Sequence, residues 1–382
     1  MRVLFSSTWG YGHVFPMVPL ARAFAAAGHD VLWATNEPAC ALVTAAGLPA
    51  AAVGLDTAGV AAVVARAREE TRDMPGADRA AFLFPNMFGS WAAEPMAADL
   101  LPLARHWRPD LIINEHGEVA APLVSAVLGV PSFTHAFGGA IPVDFLTAAG
   151  TFLAPLWAAQ GLEIPPYAGL FETGYLDICP ASVQGQPVGH ITGRLPLRPV
   201  VYTGEPNGVP LPDRDPNRPQ VYVTLGTVNN RAPVLAELLD GLATLEADVL
   251  VTVGPDGDPA ALVAQPAHVA VRRWVCQSEV LAQCDTVVSH AGSGTFLGAL
   301  AEGLPQLAVP QAADQFRNAR AGVERGAALA LLPGETEPTA ISTALQRLLA
   351  DHGFRAAAGE VAAEIAAMPA PADVVRALEA SI

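Results

Sequence analysis

The 382-residue chain contains no lysine; all 21 of its basic side chains are arginine. That excludes a Schiff-base lysine, and with it pyridoxal-phosphate chemistry. It also excludes the Walker A phosphate loop, which ends on a lysine. Charge of any sign is scarce, at 15% of residues, and the formal balance is −16. Nucleic acid and anionic membrane surfaces are therefore poor partners, since both call for clustered cations. An anionic small ligand stays open, because a helix N-terminus supplies positive potential locally. Cysteine is rare too. Cys40, Cys179, Cys276 and Cys284 form no C-x-x-C pair, and read as small buried side chains in a reducing compartment. No apolar run is long enough to span a membrane, and the opening MRVLFSSTWG is too short for a signal peptide. A cytoplasmic protein without stable membrane insertion is the expectation.

Apolar side chains make up 52% of the chain. With this length they imply well-buried cores and, by size, two domains. Short β-branched runs alternate with helix-length segments in both halves, which predicts two doubly wound parallel sheets of α/β class facing a cleft. The proline- and glycine-rich segment 196–219 reads as the linker. It separates an N-terminal domain, 1–195, from a C-terminal domain, 220–382, whose last helix is free to pack back on the first.

The most informative stretch is DTVVSHAGSGTFLGALAEGLPQLAVPQAADQFRN, residues 285–318. An apolar strand, Thr286–Ser289, runs into the turn His290-Ala291-Gly292-Ser293-Gly294-Thr295. The glycines let the backbone approach a ligand and leave amides uncovered. A helix expected over 296–302 would then aim its N-terminus at a phosphate. After the next strand, 307–309, come Gln311, Asp314, Gln315 and Asn318, a set suited to sugar hydroxyls. Ligands of open α/β sheets lie past the carboxyl ends of strands, so both groups fall in one site.

The N-terminal half opens with a strand over 2–6, a turn Gly10-x-Gly12-His13, and a helix over 14–27. The third glycine of a dinucleotide fingerprint would fall at Phe15 and is missing, so a nicotinamide site is disfavoured. His13 sits where strand hands over to helix and is the candidate general base. Glu115, His116 and Glu118 follow a strand over 110–114 on the same sheet edge. A carboxylate there, Glu115 or Glu118, is placed to orient an imidazole. Apolar side chains crowd 74–96, and 137–170 is glycine-, proline- and aromatic-rich. Trp9, Phe82, Met87, Phe88 and Phe137 are candidate walls of a pocket for a bulky apolar molecule. Asp213-x-Asp215 and Asp256-x-Asp258 resemble metal-binding Asp-x-Asp but lie in proline- and glycine-rich loops and read as turns; no metal and no cofactor is expected.

These residues together resemble the family 1 glycosyltransferases of two-Rossmann (GT-B) architecture, in particular the actinobacterial enzymes that attach nucleotide-activated deoxysugars to natural products. The resemblance runs over essentially the whole chain. It rests on Gly10-x-Gly12-His13, Gly226-Thr227, Trp274-Val275-x-Gln277, His290 to Thr295, and Asp314-Gln315. It implies that Trp274 stacks on the pyrimidine of a TDP- or UDP-linked donor, with Val275 and Gln277 beside it. It implies that Glu302 meets the ribose. His290, Gly292, Ser293, Gly294 and Thr295, helped by Thr227, would hold the diphosphate. Asp314 and Gln315 would hold the sugar, and His13, oriented by Glu115 at the position of the relatives' acid, would deprotonate the acceptor with inversion at the anomeric carbon. A homodimer is compatible with the resemblance. A nucleotide-sugar epimerase and a non-catalytic nucleotide-binding auxiliary protein are the alternative readings.

Overall fold

The computed structural model describes residues 1–74, 76–204, 211–212, 215–226, 232–255, 257–263 and 265–382. The chain forms two compact units. The first holds Met1–Cys179, Gln186–Arg198 and Met368–Ile382; the second holds Pro180–Gly185 and Pro199–Ala367.

In the first unit the strands are β1 (Arg2–Ser7), β2 (Asp30–Thr35), β3 (Ala50–Ala52), β4 (Leu111–Glu115), β5 (Ser132–His135), β6 (Gly174–Asp177) and β7 (Arg194–Pro196). They form one parallel sheet in the order β3-β2-β1-β4-β5-β6-β7. Helices cover both faces, so the middles of the central strands are apolar: Val3, Leu4, Phe5, Ile112 and Ile113 are wholly buried. Strand order reverses between β1 and β4, where Ser6 pairs with Asn114. That register brings the residues following both strands to one point.

The second unit contains β8 (Gln220–Thr224), β9 (Asp248–Thr252), β10 (Val269–Arg272), β11 (Thr286–Ser289), β12 (Gln306–Ala308) and β13 (Ala328–Ala330). Its parallel sheet runs β10-β9-β8-β11-β12-β13, reversing between β8 and β11. Val221, Val223, Val251 and Val288 pack under Leu238, Leu242, Ile341 and Leu345 of two covering helices.

Several sequence expectations need correction. The helix expected over 14–27 starts at Tyr11 and comes in three pieces, Tyr11–Val14, a 3₁₀ turn Phe15–Met17, and Val18–Ala26. Pro16 and Pro19 each lack the amide a continuous helix uses. Within the glycine-, proline- and aromatic-rich segment 137–170, Val143–Ala159 is a long helix that the sequence reading did not assign. The segment read as linker begins inside β7, which closes the first sheet. The motif residues Ser293, Gly294 and Thr295 are not a loop ahead of the helix but its first turn, since the helix is Ser293–Ala301.

Candidate active site

In the first unit the site lies at the sheet's reversal point. Gly10, with φ 99°, caps the helix Tyr11–Val14 and turns the chain off β1. His13 rides on that first turn, with 23% of its side chain exposed. Its Nδ1 stands 3.1 Å from Oε1 of Glu115, the wholly buried last residue of β4. The same Oε1 accepts the Gly117 amide at 2.6 Å, and Oε2 accepts the Thr8 hydroxyl at 3.2 Å. Burial acts to raise the Glu115 carboxyl, but His13, the Gly117 amide and His116 outweigh it and hold the pKa below its ordinary value. Glu115 is thus the carboxylate beside His13.

Glu118 is engaged elsewhere. Its Oε2 accepts Ser6 Oγ–H at 2.7 Å, and its Oε1 accepts the Ala120 and Ala121 amides at 2.8 and 3.2 Å. Burial pushes its carboxyl up to about 7 despite those bonds. His116 lies over Tyr175, with ring centroids 5.2 Å apart. Burial also holds His135, at the end of β5, down to about 4.

Aromatic rings surround His13. Phe88 lies 5.4 Å and Phe137 5.3 Å from it, centroid to centroid, and Trp9 lies 6.0 Å from Phe88. Phe88 and Met87 belong to a π-helical turn, Pro85–Trp91, a widened turn often found at functional sites. Gly89 lets that turn lie on the helix Val143–Ala159: a Cβ there would come within 2.8 Å of Ala149 Cα. Phe84, at 5.4 Å, is the further ring against Phe88, and Phe145 lies 6.2 Å beyond it. Phe82 enters as a backbone carbonyl that accepts the Asn86 side-chain amide. Phe145 was not singled out, although the glycine-, proline- and aromatic-rich segment 137–170 that carries it was.

In the second unit the chain leaves β11 through Ala291, which is buried in a left-handed conformation with φ 61°. This conformation is costly for a residue with a Cβ. It is held by the Ser289 hydroxyl, which accepts the Ala291 amide at 3.0 Å, and by Asn318 Nδ2, which donates to the Ala291 carbonyl at 2.9 Å. Gly292 then caps the helix Ser293–Ala301 without a side-chain bond. The Ser293 amide and hydroxyl donate to Asp314 Oδ2 at 3.2 and 2.6 Å. The amides of Gly294 and Thr295 have no partner within the helix, and a Cβ on exposed Gly294 would meet nothing within 4 Å. This is an anion cradle. The His290 ring lies between Gly226 and Gly292; a Cβ on either would come within 2.5 or 2.4 Å of it. Burial lowers the His290 pKa, against an upward pull from Asp314 and the Thr224 backbone.

Asp314 Oδ2 also accepts Asn318 Nδ2 at 3.0 Å, while Gln315 Oε1 accepts the Gln311 and Ala312 amides at 2.7 and 2.9 Å. Gln277 Nε2 donates to Thr295 Oγ1 at 3.0 Å and ties its short helix to the cradle. Val275 is buried and Trp274 half-buried just beyond β10. Thr227 lies outside the described residues. Glu302 is exposed at the far end of the cradle helix, about 15 Å along the axis from Gly292. Of the Asp-x-Asp pairs, Asp213 and Asp256 lie outside the described residues. Asp215 accepts the Asn217 amide in a turn, and Asp258 accepts that of Ala260. Among the described residues no group of three or more His, Cys, Asp or Glu is placed to hold a metal. A depression of about 290 Å³ beside Glu237 and Thr336 touches the polar set only through Gln311 and contains none of the cradle amides.

A parallel sheet with an anion cradle and a carboxylate–amide pair at its carboxyl edge, preceded in the chain by a second parallel sheet, is the architecture of a two-Rossmann glycosyltransferase. Comparison with known proteins agrees. The chain belongs to the erythromycin biosynthesis protein CIII-like family: its N-terminal domain model matches residues 22–226 and its C-terminal domain model residues 236–381. The chain is similar to the L-demethylnoviosyl transferase of Streptomyces niveus, at 36% identity over 100% of this chain and 98% of that one. It is equally similar to the elloramycin glycosyltransferase ElmGT of Streptomyces olivaceus, at 36% over 98% and 96%. Among solved structures, the glycosyltransferase SsfS6 of Streptomyces sp. SF2575, complexed with thymidine diphosphate, superposes with a TM-score of 0.81 at 31% identity over 99% of both chains. Among the described residues no helix is long and apolar enough to cross a membrane.

Proposed function

We propose that this glycosyltransferase moves a deoxysugar from a thymidine-diphosphate donor to a hydroxyl of a bulky apolar natural product, with inversion and with His13 as general base. The observation that carries the reading is His13 Nδ1 set 3.1 Å from the buried Glu115 carboxylate. With Nδ1 directed at Glu115, Nε2 is the ring nitrogen that receives the acceptor proton. The carboxylate favours the imidazolium that forms. Phe88, Phe137 and Trp9 around His13 suit an apolar acceptor, since large rigid rings bury much area at little entropic cost.

The second unit takes the leaving group. The Gly294 and Thr295 amides and the helix dipole stabilise charge as the sugar–phosphate bond breaks. His290 adds a donor, and this cradle supplies the positive potential without a metal ion. Asp314 commits Oδ2 to Ser293 and Asn318, which directs Oδ1 toward a sugar hydroxyl. Thymidine diphosphate in SsfS6 supports the choice of nucleotide. Attack opposite the departing diphosphate inverts the anomeric carbon.

The test is His13→Ala with thymidine-diphosphate sugars and a panel of hydrophobic acceptors. Turnover should fall by about 10²- to 10⁴-fold while nucleotide affinity holds, and NMR of the wild-type product should show the inverted anomer. Turnover at the wild-type rate would remove His13 as the base.

A further inference from the structure

We infer that Thr8 is a positioning residue for the His13–Glu115 pair, and that its hydroxyl sets the proton affinity of His13. Glu115 needs orienting because its side chain must fold back to reach His13. Gly117 permits this: a Cβ there would sit 3.1 Å from Glu115 Oε1. Two donors then fix the carboxylate. The Gly117 amide holds Oε1, the oxygen facing His13, and the Thr8 hydroxyl holds Oε2. An amide two residues along fixes one oxygen but leaves the carboxylate able to pivot about it. Thr8 is the second point of attachment, and it comes from a different strand end.

Thr8 is itself fixed. Its carbonyl accepts Thr35 Oγ1–H at 3.3 Å, and the same hydroxyl reaches the Ser7 carbonyl at 3.0 Å. Ser7 Oγ donates to Thr35 Oγ1 at 3.2 Å and accepts Trp33 Nε1–H at 3.0 Å. Ser7, Thr35 and Trp33 are wholly buried, and Thr8 is 5% exposed. A closed polar chain thus runs along the carboxyl ends of β2 and β1 and ends on the carboxylate at the end of β4. Buried networks of this kind hold one geometry, because any broken member leaves an unsatisfied group.

The charged and titratable groups acting on Glu115 are His13, His116, His135 and Glu118. Glu118 opposes ionisation, and the Thr8 hydroxyl favours it. Removing that hydroxyl destabilises the carboxylate, so the pair binds its shared proton more tightly. The His13 midpoint then moves up. Its catalytic consequence rests on His13 being the base; the coupling itself does not.

The experiment is an NMR titration of the His13 ring, assigned by its loss in His13→Ala, in the full chain and without substrate. Thr8→Val and the smaller Thr8→Ala should raise the His13 midpoint by about half a unit to one unit, a fraction of the roughly one to two units that a hydrogen bond to a charged group is worth on Glu115 itself. Thr8→Ser should restore it. A purely structural role for Thr8 would lower thermal stability and leave the midpoint where it was. A wild-type midpoint in folded Thr8→Ala overturns the inference. Wild-type turnover in His13→Ala overturns the base assignment instead and leaves the titration result standing.

Discussion

At the scale of single residues, Glu118 is the side chain whose chemistry is least at ease. It is wholly enclosed, accepts three hydrogen bonds, and still has its carboxyl pushed up to about 7. Its proton affinity is higher folded than unfolded, so the folded state holds more protons between about pH 4.5 and 7. Stability therefore falls as pH rises through that window. The rise from 4.5 to about 7 corresponds to roughly 3 kcal/mol lost by pH 8. Glutamine has the same shape, can accept the Ala120 and Ala121 amides, and can donate to Ser6. Glu118→Gln should flatten the decline between pH 5 and 7 and recover most of that loss at pH 8. Chemical denaturation at several pH values reads this directly; parallel wild-type and variant curves would show that Glu118 is ionised at no cost. Glu118 also shows what a sequence conceals. Glu115 and Glu118 lie three residues apart on one sheet edge, so position alone left both open as the partner of His13, and the family resemblance favoured Glu115. The sheet register separates them, sending Glu115 to His13 and Glu118 to Ser6. Thr8 gave no signal, because its bond to Glu115 joins residues 107 apart and has no spacing to betray it.

At the scale of elements, the central strands were legible and the rims were not. The runs forming β1, β2, β4, β8 and β11 are buried on both faces and so are apolar and β-branched. Three strands left no trace: β3 (Ala50–Ala52), β7 (Arg194–Pro196) and β13 (Ala328–Ala330). Each is three residues long and sits at a sheet edge. An edge strand pairs on one side only and tolerates alanine or proline, so neither pattern nor propensity marks it. The cradle helix was legible in kind but late by a turn, because Ser293 and Gly294 are ordinary loop residues in any window that does not know Gly292 is a cap. That placement makes a separable prediction. Gly294 is in the first helical turn, where alanine is preferred to glycine by about 1 kcal/mol. A methyl there meets no protein atom within 4 Å, and it would crowd the diphosphate proposed for this turn. Gly294→Ala should fold as well as the wild type or better, yet bind thymidine diphosphate at least about tenfold more weakly, roughly 1.4 kcal/mol. Calorimetric titration beside a thermal melt separates the two effects. Unchanged affinity would move the phosphate away from this turn.

At the scale of the whole molecule, the chain does not end in the unit where most of its C-terminal half folds. After Ala367 it returns to the first unit, and the helix Pro371–Ser381 packs on Val18–Ala26. Val374, Val375 and Leu378 are buried there, and Glu379 Oε1 meets His29 Nε2 at 2.8 Å. The first sheet's covering layer thus includes residues 368–382, so this unit is built from segments far apart in the chain. Leu378 is wholly buried. Replacing it with aspartate forfeits about 2–3 kcal/mol of apolar burial and sets a carboxylate where it must be protonated or expel the helix. The cradle, Asp314 and Gln277 lie in the other unit and keep all their partners. Scanning calorimetry of Leu378→Asp should therefore show the first unit melting at a markedly lower temperature. If the second unit binds thymidine diphosphate as proposed, the nucleotide should still raise that unit's melting temperature, since a ligand stabilises only the fold that binds it. If the nucleotide-dependent rise vanished while the first unit kept its melting temperature, the terminal helix would belong to the donor-binding fold rather than to the sheet that carries His13.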